Sequence, residues 1–197
     1  MDGVTVHSAA MGAATAFDVD SFVGECRAAL GEDRPTAAVR EVLLRHLGDA
    51  PARAATASAL PPERAGIEPL HVADDLTVLQ VVWGPRMTLF PHDHRMWAAI
   101  GIYAGVEDNE FFRRDPKGLT SSGGRVIEDG DVLALGADAI HSVHNPRRSF
   151  TGAIHVYGGN FFTTPRSEWD PETREESPYD FEHTRRLFEE SNAAVES

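Results

Sequence analysis

The stretch FPHDHRMWAAIGIYAG, residues 90–105, decides how the chain is read. Its second half, WAAIGIYAG, is small, apolar and β-branched and reads as a buried strand. Its head reads as a turn that places His92 and His94 two residues apart. Side chains two apart on extended backbone share a face, so the two imidazoles project together and Asp93 projects the other way. His-x-His at the start of a strand is a ready pair of ligands for a divalent metal. A third ligand must come from another strand.

Two later stretches offer one. AIHSVHN, residues 139–145, carries His141, with His144 three residues on and therefore on the opposite face. TGAIHVYGG, residues 151–159, carries His155 and, on the same face, Tyr157. The reading takes His92, His94 and His141 as metal ligands, with His144 and His155 left open as further ligands and His155 favoured as a hydrogen-bonding group beside them. Five of the nine histidines lie in these three stretches; His7, His46, His71 and His183 are scattered.

Away from this region the hydrophobic period divides the chain. DVDSFVGECRAALGE and RPTAAVREVLLRHLGD place apolar residues at helical spacing, with Pro35 near the start of the second helix and Gly48 near its end. PARAATASALPPERAG reads as a connection with one short helix. From about residue 69 the period is two: LTVLQVVW, NEFFRR, GRVIEDG and DVLALG join the strands above, separated by Gly, Asp, Asn and Pro turns. The tail from Pro165 is charged and turn-rich, with a helix expected around residues 178–190, and residues 1–16 are expected to be loosely ordered. The expected architecture is mainly β, an antiparallel jelly-roll barrel over residues 69–165 with N-terminal helices over 17–60 and a C-terminal tail and helix over 166–197, all in one domain.

Composition narrows the function classes. The chain has 197 residues, 18 basic against 31 acidic, for a formal net charge of −13. An acidic surface repels phosphate backbones and anionic membranes, so neither nucleic acid nor a membrane is an expected partner. No run approaches the about 20 apolar residues of a membrane helix. The single cysteine, Cys26, allows no intrachain disulfide. With an N-terminus lacking a basic start and an apolar middle, that points to the cytoplasm.

The His-x-His stretch and the stretch Gly130–Asn145 together resemble the two motifs of the cupin superfamily. The first places His-x-His ahead of a strand ending in Gly, here His92, His94 and Gly105. The second is a Gly, a turn, then His and four later Asn, here Gly130, His141 and Asn145, with Gly136 and Asp138 in place of the usual turn Pro and Gly. The glutamate of the first motif is missing; by spacing, Ala99 stands in its place. A narrower resemblance is to the thiol dioxygenases, the cysteine and 3-mercaptopropionate dioxygenase family and its poorly characterised bacterial metal-dependent relatives. It is carried by the three-histidine set, Trp83-Gly84 ahead of it, and the His155-x-Tyr157 pair. The similarity spans about residues 18–165.

The resemblance implies a cupin double-stranded β-helix that binds Fe(II) through His92, His94 and His141, with Ni, Mn or Zn as alternative occupants. It implies that His155 and Tyr157 act beside the oxygen and substrate site. The implied reaction is oxidation of a small thiol to a sulfinate with dioxygen. Departures from the family bear on the substrate: no cysteine is present at Ala99 to crosslink the tyrosine, Ala153 replaces a serine, and His71 matches the arginine that holds the substrate carboxylate. Arg95, Arg113 and Arg166 are the other candidates for an anionic substrate group. The alternatives are a metal cupin with isomerase, lyase or hydrolase chemistry, a non-thiol oxygenase, and a binding or sensor cupin without turnover.

Overall fold

Three strands carry apolar residues with almost no alternation, because both of their faces are covered. These are β2 (Thr77–Trp83), β4 (Ala98–Ala104) and β9 (Thr151–Tyr157). Leu79, Val81, Ile100, Ile102 and Ala153 face the inside of a barrel. Val78, Ala99, Tyr103, Ile154 and Val156 face a layer of helices. A strand buried on both faces reads as a near-continuous hydrophobic run.

The computed structural model describes residues 16–116 and 118–196. The expectation of loose order over residues 1–16 lies, except for Ala16, outside the described residues. Helices α1 (Val19–Ala29), α2 (Pro35–Leu47) and α3 (Ala50–Ala59) come first and α4 (Phe181–Glu196) last. The remaining strands are β1 (Gly66–Val72), β3 (Thr88–Asp93), β5 (Val106–Asp115), β6 (Gly118–Glu128), β7 (Val132–Leu135), β8 (Ile140–His144), β10 (Ser167–Trp169) and β11 (Glu176–Pro178). One sheet runs β1-β2-β9-β4-β7 and the other β11-β10-β3-β8-β5-β6, with antiparallel pairing. The two face each other as the jelly-roll barrel, a double-stranded β-helix. Among the described residues no helix is long and apolar enough to cross a membrane.

Local chemistry explains the helical layer. Asp18 caps α1 by accepting from the Ser21 amide at 2.8 Å, and Asp49 caps α3 by accepting from the Ala52 amide at 2.8 Å. Phe22, Cys26, Val39, Leu43 and Leu47 are the buried stripe of α1 and α2. Helix α2 lies directly on Gly101: a Cβ there would stand 2.6 Å from Leu47 Cδ1. The turn into β7 needs Gly130, whose φ is +88°.

Several expectations need correction. His-Asp-His does not open a strand; it closes β3, and the chain then bends through Arg95, at φ +56°, before β4 begins at Ala98. Strand β3 is hidden in the sequence by Pro91, which has no N–H to give. Its pairing with β8 slips between Leu89 and His92, and this bulge lets residues three apart face the same cavity. The spacing also misplaces Ala99, which packs against the helices. The barrel-facing residue is Ala98, directly opposite Tyr157 in the β4–β9 register. Strand β5 begins at Val106 rather than Asn109, and the tail holds β10 and β11 before a helix that starts and ends later than expected.

Candidate metal centre

His92 and His141 are directly opposite each other in the β3–β8 pairing, and His94 follows just beyond the end of β3. One ring nitrogen from each of the three lies within 4.8 Å of the other two, and all three residues are buried. His92 Nε2 is 3.2 Å from His94 Nε2, and His141 Nε2 is 3.5 Å from it. Two nitrogens each about 2.0–2.1 Å from a shared ion stand about 2.9–3.4 Å apart at angles between 90° and tetrahedral; the 3.2 Å pair lies within that span and the 3.5 Å pair just beyond it.

The outer nitrogens explain why the Nε2 atoms are available. His92 Nδ1 donates to the Phe90 carbonyl at 3.0 Å, and His141 Nδ1 donates to Asn109 Oδ1 at 2.7 Å. A neutral imidazole carries one ring proton, so both Nε2 atoms are lone pairs. His94 can supply at most one proton between them, and its Nδ1 is buried without a partner. Converging buried lone pairs are costly unless a cation sits among them, so the residues fit a divalent metal. Burial, before any other cause, holds His92 down to about 4 and holds His94 and His141 well below the ordinary imidazole range. The rings are neutral, as ligands must be.

His155 and Tyr157 face the same cavity. Their Nδ1 and hydroxyl are 2.9 Å apart, and the Tyr157 ring centroid is 5.0 Å from that of His94. Burial pushes the Tyr157 hydroxyl far up. The cavity is about 20 Å³ and is walled by Leu79, Val81, Phe161 and Tyr179 around these residues. Asp93, on the opposite face of β3, accepts from Arg95 at 2.7 Å and from the Ser167 amide at 2.8 Å. It thereby ties the histidine strand to the segment that follows Arg166.

The substrate candidates are spread out. His71 lies on β1, outside the cavity lining, with its Nε2 buried and unpartnered. Arg113 is exposed on β5. Arg95 is paired with Asp93 at the surface. Arg166 is buried one layer behind the cavity. Its guanidinium lies 4.1 Å from the Phe161 ring centroid and 4.0 Å from that of Tyr179, and it donates to the Phe161 carbonyl. Arg95 and Arg166 line an outer cleft of about 700 Å³. His144 points away, its Nδ1 2.8 Å from Thr88 Oγ1. Asn145 is a tie between loops, donating to the carbonyls of Trp83, Gly84 and Ser149.

Sequence reasoning missed Glu107 and Asn109, both fully buried and two apart on the inward face of β5. Their alternation was the available signal, but GVEDN after Ala104 reads as a turn. Tyr179 and Phe161 were missed because nothing local marks a residue that covers a distant site.

A search of protein-family models finds none that matches the chain. Among solved structures, it is similar to an RmlC-like cupin family protein with a double-stranded β-helix fold from Methanocaldococcus jannaschii, at 9% identity over 50% of this chain and 83% of that one, with a TM-score of 0.42. It is similar to a Bacillus halodurans protein at 13% identity over 53% and 77%, TM-score 0.47. It is also similar to a variant of Bacillus subtilis oxalate decarboxylase at 16% identity over 46% of this chain and 23% of that one, TM-score 0.38. The topology and the cavity of this chain make it a double-stranded β-helix with a buried three-histidine cluster whose nitrogens could hold a metal.

Proposed function

We propose that the protein is a non-haem iron enzyme that oxidises a small thiol to a sulfinate with dioxygen. The observation that carries this reading is the all-neutral ligand set: three uncharged imidazoles converge in a cavity with no carboxylate in its lining. His92, His94 and His141 would hold divalent iron without neutralising its charge, and the ion would supply the redox capacity that dioxygen chemistry needs. The reaction RSH + O2 → RSO2H balances without an outside reductant.

The protein's own groups orient the reactants. The Tyr157 hydroxyl, held by His155, is the polar group beside the histidines. Phe161, Tyr179, Leu79 and Val81 exclude water, which strengthens every charge interaction inside. The cavity of about 20 Å³ has room for an ion and little more, so substrate entry requires the Phe161 and Tyr179 rings to move. Arg166, stacked on both rings, then becomes the cation nearest the entering molecule, and a thiol bearing a carboxylate is the substrate class it suits.

The test is oxygen uptake by the Fe(II)-loaded protein with 3-mercaptopropionate, cysteine and cysteamine, with sulfinate measured as product. Thiol-dependent uptake, with both oxygens of labelled dioxygen recovered in the sulfinate, is the expected result. A protein that holds iron yet consumes no oxygen with any thiol overturns the reaction and leaves the metal site. Arg166→Gln should raise KM for the carboxylate-bearing thiols by about tenfold or more, the scale of one charge-assisted bond, and should leave cysteamine nearly unaffected.

A further inference from the structure

Glu107 is a carboxylate with no exposed surface, inside the barrel. A buried charge is expensive unless its lone pairs are used. Its Oε2 accepts from Trp83 Nε1 at 2.8 Å and its Oε1 accepts from Asn109 Nδ2 at 3.0 Å. The same Oε2 is 3.6 Å from His155 Nε2, which has no hydrogen-bond partner of its own. Asn109 in turn accepts from His141 Nδ1, and His155 Nδ1 meets the Tyr157 hydroxyl. One carboxylate therefore stands between a candidate metal ligand and the His155–Tyr157 pair.

We propose that Glu107 is the positioning residue of this site, setting the tautomer of His155 directly and that of His141 through Asn109. The inference rests on the three histidines holding a metal. The logic is that a carboxylate only accepts. Facing Glu107, Asn109 must turn its NH2 inward, so its Oδ1 faces His141 and requires a proton on Nδ1. That leaves the His141 Nε2 lone pair for the metal. Facing the same carboxylate, His155 holds its proton on Nε2. Its bare Nδ1 then accepts the Tyr157 hydroxyl proton, and the Tyr157 oxygen presents lone pairs to the cavity. The Oε1 acceptor carries the His141 setting and the Oε2 acceptor that of His155.

The isosteric change Glu107→Gln makes the sharpest prediction. The new amide oxygen must stay with Trp83, which donates, so the amide NH2 confronts the NH2 of Asn109. Asn109 must flip, its NH2 then faces His141 Nδ1, and the His141 proton moves to Nε2, where it blocks the metal. Adding Asn109→Asp restores an acceptor at that point: the carboxylate now stands at position 109, where it accepts from the new amide on one side and from His141 Nδ1–H on the other.

The experiment is nitrogen NMR of the histidine rings in the metal-free protein, with Zn(II) binding measured by competition with a chelator. The unsubstituted protein should show His155 protonated at Nε2 and His141 at Nδ1; His155 protonated at Nδ1 alone overturns the proposal. Glu107→Gln should weaken Zn(II) binding by about tenfold or more, and the Glu107→Gln, Asn109→Asp pair should return it to near the starting value. A folded double variant as weak as the single one means Glu107 merely fills the core, and overturns the proposal. Should the single variant fail to fold, the ring tautomers of the unsubstituted protein and the double variant still decide. If the unsubstituted protein binds no Zn(II), the metal reading fails, while the tautomers still test Glu107.

Discussion

His92 Nδ1–H donates a hydrogen bond to the carbonyl of Phe90, two residues back on the same bulged strand. The bond is ordinary alone, yet it decides that Nε2 is the lone pair and that it faces two other imidazoles. His92→Ala should therefore lower affinity for a divalent ion by at least about 100-fold, since even partners of metal ligands contribute about 10–100-fold. Circular dichroism should show the fold retained; a variant that keeps its metal would refute the ligand assignment. Cys26 belongs to the other layer of the protein. Burial pushes its thiol up to about 12, so it should resist an aromatic disulfide reagent at pH 8 until denaturant opens the helices. Rapid labelling of the native chain would contradict the packing.

At the level of elements, the helices and the doubly covered strands are legible because burial writes a period into the sequence. Val39, Val42, Leu43 and Leu47 keep helical spacing, and they fill the stripe that meets β4. Strand β3 is not legible, because Pro91 and the bulge remove both the alternation and the ladder that would announce it. The three clustered histidines could be singled out without β3, since residue type and spacing mark them as candidate ligands. Glu107 could not, since its role depends on Trp83 and His155 arriving from other strands. Ala99 shows the limit of spacing: one residue of slip moved the expected site position from the barrel face to the helix face. The contact of α2 with β4 gives a direct check. Gly101→Val should destabilise the protein by about 1–3 kcal/mol, read by thermal unfolding, as overpacking does, because its Cβ meets Leu47 at 2.6 Å.

For the molecule as a whole, the C-terminal segment closes the barrel over the three-histidine cavity. Phe188 of α4 stacks on Trp83 at 5.4 Å, and Asn192 bonds both the amide and the carbonyl of Ala65. Removing residues 181–197 should red-shift tryptophan emission and speed chelator extraction of the metal; unchanged extraction would mean that α4 is no part of the cover. The three buried imidazoles also set a pH dependence for the metal-free chain. They stay neutral when folded and take protons when unfolded, so the unfolded state binds more protons below its ordinary pKa. Stability should then be full above the ordinary value of 6.5 and fall as pH drops from there toward about 4, the folded value of His92. A melting temperature flat across that window would argue against burial of neutral rings.

The measurement that bears most directly on the site is metal content after anaerobic reconstitution with Fe(II), taken on the unsubstituted protein beside His141→Ala. The three-histidine centre requires about one ion per chain in the first and almost none in the second, as a site built from three protein ligands demands. Equal metal in both proteins, or none in either, would show that these histidines do not form a metal centre.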